Sequence, residues 1–157
     1  MAQPQIGDTA PAFSIPSDGG GTVSLSDFKG SYLILYFYPR DDTPGCTTEA
    51  KGFSEIKDEL AKLNTKVVGV SKDTVAKHDK FIAKHDLQVQ LGADVEGQVV
   101  EDYGVWVEKS MYGKTSMGIQ RATFLIGPDQ TILETWPKAR VKGHVEAVLD
   151  AVKQHAG

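Results

Sequence analysis

The chain has 157 residues, 40% of them hydrophobic, and a formal net charge of -4. That length suits one ordinary globular domain spanning residues 1–157, and an acidic balance with no Lys/Arg cluster excludes a phosphate-backbone binder, so nucleic acid is not an expected partner. The opening Met1-Ala-Gln-Pro-Gln-Ile-Gly has neither a basic leader nor an apolar stretch, and the longest apolar run, Tyr32 to Tyr38, is too short to cross a bilayer; the expectation is a cytoplasmic protein with no membrane partner.

In chain order, Ala12–Ile15 and Thr22–Leu25 flank Ser17-Asp-Gly-Gly-Gly21 and read as a loose hairpin. The triple glycine lacks the following Lys-Ser/Thr of a phosphate loop, so the turn reading is preferred. Tyr32–Tyr38 is the continuous apolar run of a strand buried on both faces, ended by Pro39. After Arg40–Thr43, apolar residues at Ala50, Phe53, Ile56, Leu60 and Leu63 predict one helix that closes at Asn64. A buried strand at Val67–Val70, a helix over Thr74–His85 with Phe81 and Ile82 inward, and a strand at Gln88–Leu91 complete a βαβαβ series. A short helix over Gln98–Tyr103 leads to an irregular segment, Trp106–Gln120. Ala122–Ile126 and Thr131–Trp136 then form an antiparallel hairpin around Gly127–Gln130, and a helix over Lys142–Gln154 turns Val145, Val148, Leu149 and Val152 to one side. Such a series folds as an α/β mixed sheet with helices on both faces and an N-terminal hairpin, the arrangement of thioredoxin-like folds.

Cys46 is the only cysteine, which rules out an internal disulfide, a CxxC pair or a multi-thiolate zinc site. A lone cysteine often serves only as a small buried hydrophobe, but the position of this one argues for chemistry. Pro39-Arg-Asp-Asp-Thr-Pro-Gly-Cys46 joins a buried strand to a helix, where open α/β sheets place their sites. Thr43 is the N-cap candidate and Pro44 suits the first helical position, so Cys46 falls in the first turn. The free N–H groups and dipole there favour a thiolate, the nucleophilic form.

Pro39-x-x-x-Thr43-x-x-Cys46, within Phe37-Tyr-Pro-Arg-Asp-Asp-Thr-Pro-Gly-Cys-Thr-Thr-Glu-Ala50, resembles the active-site motif of peroxiredoxins. Trp106, Glu108-Lys-Ser-Met-Tyr-Gly113 and Gly118-Ile-Gln-Arg-Ala-Thr-Phe-Leu-Ile126 are similar to the Q-type subfamily, the bacterioferritin comigratory proteins, so the resemblance covers nearly the whole chain. It implies a thiol peroxidase acting on hydrogen peroxide and organic hydroperoxides with no metal, haem or flavin cofactor. Carried over by position, Cys46 attacks the peroxide, Thr43 supplies a hydroxyl to it, Pro39 shields the thiolate and Arg121 provides a guanidinium. Charge leaving onto oxygen would be met by preorganised donors. Composition alone does not choose between Arg121 and Arg40; the resemblance selects Arg121. Glu49, one turn along, is assigned to orienting a guanidinium, against its reading as a solvated helix carboxylate.

Many Q-type relatives carry a resolving cysteine five residues after the first, where this chain has Lys51. The implied cycle is therefore a one-cysteine cycle, in which an external thiol such as thioredoxin, glutaredoxin or glutathione reduces the Cys46 sulfenic acid, in a monomer or weak homodimer. Lys51 reads as solvated, with attraction of an anionic reductant as the alternative. Trp106, Met111, Tyr112 and Met117 read as packing of the connecting segment rather than as pocket lining, and His78 and His85 as solvated rather than as metal ligands. A non-enzymatic redox sensor or chaperone-like module is the competing function. A cysteine hydrolase ranks last, because no hydrolase signature brings a histidine to the thiol.

Overall fold

Strand β3 (Tyr32–Phe37) organises the molecule, because its alternating side chains feed two separate cores. The computed structural model describes residues 2–157. Leu33, Leu35 and Phe37 point into one core, while Ile34, Tyr36 and Tyr38 point into the other. A strand with no polar face can sit only inside a sheet, and β3 is the central strand of five, in the order β5-β4-β3-β8-β9.

Ahead of it lies the expected hairpin, β1 (Ser14–Pro16) against β2 (Thr22–Ser24), closed by a 3-10 turn over Asp18–Gly20. After β3 the chain forms α1 (Pro44–Glu55) and α2 (Lys57–Lys62) rather than one helix. The break falls at Ile56, two residues after Ser54, whose hydroxyl donates back to the Ala50 carbonyl at 2.8 Å and competes with the helical ladder. Asn64 does close the pair, in a left-handed conformation (φ 53°).

Strand β4 (Thr65–Ser71) lies parallel to β3, with Gly69 opposite Tyr36. A Cβ at Gly69 would sit 2.5 Å from the Tyr36 ring, so the glycine gives that phenol room to lie against the sheet. Helix α3 (Val75–His85) starts from Thr74, whose hydroxyl accepts the Lys77 N–H at 3.2 Å. It leads to β5 (Gln90–Ala93), parallel to β4. This strand begins two residues later than the sequence pattern predicts, because the Gln88 N–H is held by the Ser54 hydroxyl at 2.9 Å. Helix α4 (Gln98–Asp102) packs Val99 and Val100 into the core shared with the hairpin, whereas α1, α2, α3 and α5 (His144–Ala156) cover the opposite face.

The segment 106–120 is not irregular. It forms a second hairpin, β6 (Trp106–Met111) and β7 (Lys114–Ile119), turning at Tyr112 and Gly113. Most of its side chains are exposed, so no buried face imprints a two-residue period on the sequence. Strands β8 (Ala122–Ile126) and β9 (Ile132–Trp136) then add to the sheet as the predicted antiparallel pair.

The register of β8 places the site. It runs antiparallel to β3 with Ala122 opposite Phe37, so Arg121 lies beside the end of β3, where the Cys46 loop begins. Residues 75 apart in sequence meet because of that pairing.

Candidate active site

Pro39 follows the last residues of β3 and is exposed, and the loop returns to form the first turn of α1 with Pro44 as its opening residue. Thr43 holds the N-cap position, but its hydroxyl does not cap. It donates to the Arg40 carbonyl at 3.0 Å, which fixes the loop instead of the helix. The helical ladder begins with the Thr47 N–H on the Thr43 carbonyl at 2.9 Å, so the Cys46 N–H lies ahead of it, at the positive end of the dipole. Cys46 is only 2% exposed, among Tyr36, Tyr38, Ala50 and Phe53.

Arg121 reaches it. Its Nη2 lies 3.3 Å from Cys46 Sγ, and its Nη1 donates to Glu49 Oε1 at 2.5 Å. A planar fork suits this double duty, one prong on sulfur and the other on a carboxylate. Gly45 leaves the space that the fork needs: a Cβ there would lie 3.2 Å from Arg121 Nη2 and 3.3 Å from Val141 Cγ2. Arg40, by contrast, is an exposed loop residue whose carbonyl serves Thr43. Of the two arginines, Arg121 is the one that contacts the sulfur.

Glu49 is not a solvated helix carboxylate, since its side chain is fully buried. Burial pushes its carboxyl up to about 7, with the Arg121 charge and hydrogen bond holding it back from a larger rise. Its second oxygen, Oε2, has no hydrogen-bond partner and lies 3.9 Å from His144 Nε2. His144 itself pairs with the Thr123 hydroxyl at 2.7 Å, and burial together with the Arg121 charge holds it down at about 4. The imidazole is therefore neutral near pH 7, and Arg121 is the one cation in contact with Glu49 among the described residues.

Sequence reasoning missed His144 and Thr123, which stand behind Glu49. No local motif marks them: His144 opens α5 and Thr123 sits mid-strand in β8, and only the fold joins them. It also misread His78, which is not solvated but fully buried, bonded through Nδ1 to Asp41 Oδ2 at 2.6 Å and through Nε2 to the Gly92 carbonyl at 3.0 Å. His85 likewise is not free in solvent, because Asp42 Oδ1 lies 2.8 Å from its Nε2. Trp106 packs against the hairpin-side core with Lys72 Nζ 4.2 Å from its ring centroid, as expected. Tyr112 (96% exposed) and Met117 (49%) are exposed rather than packed, and the Met111 side chain lies outside the described residues. Lys51 is exposed, as the sequence reading holds.

Comparison with known proteins places this geometry. Residues 6–135 match the AhpC/TSA family. Peroxiredoxin Bcp of Bacillus subtilis is 45% identical over 149 residues, covering 95% of each chain. Among solved structures, the bacterioferritin comigratory protein of Xanthomonas campestris superposes with a TM-score of 0.88 at 40% identity over 92% of both chains. A cysteine-to-serine variant of Xylella fastidiosa PrxQ gives 0.92 at 39% identity over 98% of both. The thioredoxin-like arrangement, the single thiol held against a guanidinium and identity along almost the full length converge: the chain belongs to the AhpC/TSA family as a Q-type, or Bcp, peroxiredoxin, a thiol-dependent peroxidase.

Proposed function

We propose that Cys46 is the peroxidatic nucleophile and that Arg121, Glu49, Thr43 and Pro39 arrange the peroxide against it. The observation that carries this is the 3.3 Å approach of Arg121 Nη2 to Cys46 Sγ. The thiolate attacks the distal oxygen of ROOH; an S–O bond forms, the O–O bond breaks, and RO− departs to take a proton. Cys46 is oxidised to the sulfenic acid as the peroxide is reduced to alcohol or water. Arg121 and the Cys46 N–H receive the charge that moves onto the departing oxygen. Glu49 keeps the fork turned toward sulfur. The Thr43 hydroxyl, which donates its hydrogen bond to the Arg40 carbonyl, offers a lone pair to the peroxide O–H. Pro39 forms the solvent-side wall of the sulfur.

Return to the thiol needs two external thiols, since the chain has a single cysteine. The first attacks the sulfenyl sulfur, forming a mixed disulfide and releasing water; the second resolves it. Thioredoxin, glutaredoxin and glutathione all meet that requirement. The alkyl peroxide reduction activity named for the Xanthomonas campestris relative supports organic hydroperoxides beside hydrogen peroxide as substrates. Our reading has residues 1–157 working as one cytoplasmic domain, as a monomer or weak homodimer. No helix among the described residues is long and apolar enough to cross a membrane.

Peroxide consumption by wild type and Cys46→Ser, with each of the three recycling systems supplied separately, tests the assignment. Turnover is expected in at least one system with wild type and in none with the variant. Turnover that survives in Cys46→Ser overturns it.

A further inference from the structure

Two histidines are buried near the start of α1, and their surroundings ask opposite things of the ring. His78 meets Asp41 Oδ2 at 2.6 Å and the Gly92 carbonyl at 3.0 Å. An ionised carboxylate and a carbonyl can only accept, so this ring donates from both nitrogens and is charged. Burial opposes that charge, but the Asp41 hydrogen bond and charge outweigh it and hold His78 above its usual range.

His144 has the reverse setting, since burial and the Arg121 charge hold it at about 4 and leave it neutral. The hydroxyl of Thr123, buried in mid-strand, has one hydrogen-bond partner among the described residues, His144 Nε2 at 2.7 Å. The hydroxyl therefore donates to Nε2, and the single ring proton sits on Nδ1. Nε2 is thus an acceptor, and it also faces the bare Oε2 of Glu49 at 3.9 Å. A carboxylate oxygen gains nothing from an acceptor beside it, whereas a carboxylic acid has an O–H to give it. The arrangement suits the protonated form of Glu49, the same form that burial favours in lifting the carboxyl to about 7.

The other groups around the pair leave this role to His144. Arg121 holds Oε1 of Glu49 through Nη1 and the Cys46 sulfur through Nη2. The Tyr36 hydroxyl, which feels the Glu49 charge from β3, has no hydrogen-bond partner among the described residues, and burial keeps it protonated. Phe53 and Trp136 meet the imidazole edge-on, with ring centroids 6.4 and 5.8 Å away. Lys51, Glu55, Lys138, Arg140, Lys142 and Glu146 border the clefts on either side and are all exposed. Glu49 lies in the wall of the cleft between α1 and α5, which gives a proton a route from solvent.

We propose that His144 is a positioning residue for Arg121, acting as the acceptor for the proton that Glu49 takes up. The proton comes from solvent to Oε2, and the new O–H donates to His144 Nε2 in competition with the Thr123 hydroxyl. The carboxyl, uncharged and turned toward α5, then loosens its hold on the guanidinium fork. Loss of the proton restores the carboxylate to Arg121 and the fork to the sulfur. His144 thereby sets the pH at which the peroxide site is assembled, a consequence that rests on the peroxidase reading of Cys46 above.

Infrared titration of the reduced full chain reads the proton directly, because a protonated carboxyl has a C=O band that an ionised one lacks. Absence of the band from Glu49→Gln assigns it. The band is expected to appear as pH falls through about 7 in wild type, and about one pH unit lower in His144→Phe, the scale of one lost hydrogen bond. Oxidation of Cys46 by hydrogen peroxide is measured for each protein relative to its own Glu49→Gln counterpart, which removes the thiol's titration. It is expected to fall off where the band appears. Nitrogen NMR of isotope-labelled histidine is expected to show His144 Nε2 moving over the same range while the ring stays neutral, with no step in Glu49→Gln. Val148→Ala, a packing change on the same helix, is expected to lower stability and leave the midpoint in place.

A band in His144→Phe at the wild-type pH or above it overturns the proposal, as does a midpoint moved equally far by Val148→Ala. An Nε2 signal that stays still in wild type does the same, and it decides the matter if His144→Phe fails to fold. Failure of wild type to be oxidised at Cys46, with the band and the Nε2 step intact, would instead refute the peroxidase assignment.

Discussion

Two buried charge pairs frame the start of α1, and they differ in how completely they are satisfied. Asp41 has partners on both oxygens, from Tyr38 and His78, and a fixed backbone N–H. Glu49 has one oxygen on Arg121 and the other bare, facing a histidine at 3.9 Å that burial and a nearby cation keep neutral. The first pair is built to stay. The second is held near the point of taking up a proton, and it is the one that touches the guanidinium on sulfur. Satisfaction marks the scaffold here, and its absence marks the chemistry.

The largest effect that would test this contrast is on stability. Asp41→Ala strips the buried imidazole of its counter-charge and is expected to cost about 3 kcal/mol, read from urea unfolding, the range for breaking a buried pair from one side. A loss no larger than that of an exposed carboxylate would mean that the first pair is not a scaffold. Arg121→Ala is expected to fold and to slow oxidation of Cys46 by about a hundredfold, the scale for removing one preorganised donor. Stopped-flow oxidation by hydrogen peroxide measures it, and an unchanged rate would remove Arg121 from the site.

Glu49→Gln sharpens the comparison through pH. In wild type the carboxyl titrates at about 7, so as pH falls through that value Glu49 loses its charge, its hold on Arg121 weakens and oxidation slows. The folded-state value lies above the ordinary 4.5, so the folded chain binds more protons between the two. Stability gained from this group therefore rises as pH falls from about 7 toward 4.5, opposite in sign to the rate. The Gln variant is expected to be roughly tenfold slower at pH 8 and to lose both dependences, read as the difference from wild type in rate and unfolding profiles. The smallest effect belongs to the outer tie. Lys84 Nζ meets Asp42 Oδ2 at 2.7 Å in solvent, and Lys84→Ala is expected to leave the melting temperature and the oxidation rate unchanged.

What the sequence disclosed followed from burial. Strands with a core on both faces and helices with one apolar stripe left a period that could be read, and Cys46 stood out by its number and its place at a helix start. The β6–β7 hairpin left none because it hardly buries anything, and the break at Ile56 depends on a serine hydroxyl turned inward. His78 sits between Lys77 and Asp79 on a charged helix, and nothing local separates it from the half-buried His85; its partners, Asp41 and Gly92, come from other elements. Thr43 shows the same limit: its N-cap position is legible in sequence, but whether its hydroxyl turns to the helix or to the Arg40 carbonyl is decided by the loop.

A lone, deeply placed sulfur also gives this chain a built-in reporter. An alkylating reagent can mark only Cys46, so the mass added counts one event per molecule, with no background from other thiols. When reclosing is fast compared with alkylation, the rate of marking equals the fraction of time the sulfur is uncovered multiplied by the rate for a free thiol. The unmodified protein can therefore report its own opening equilibrium, under any solvent or ligand, without an added dye or engineered label.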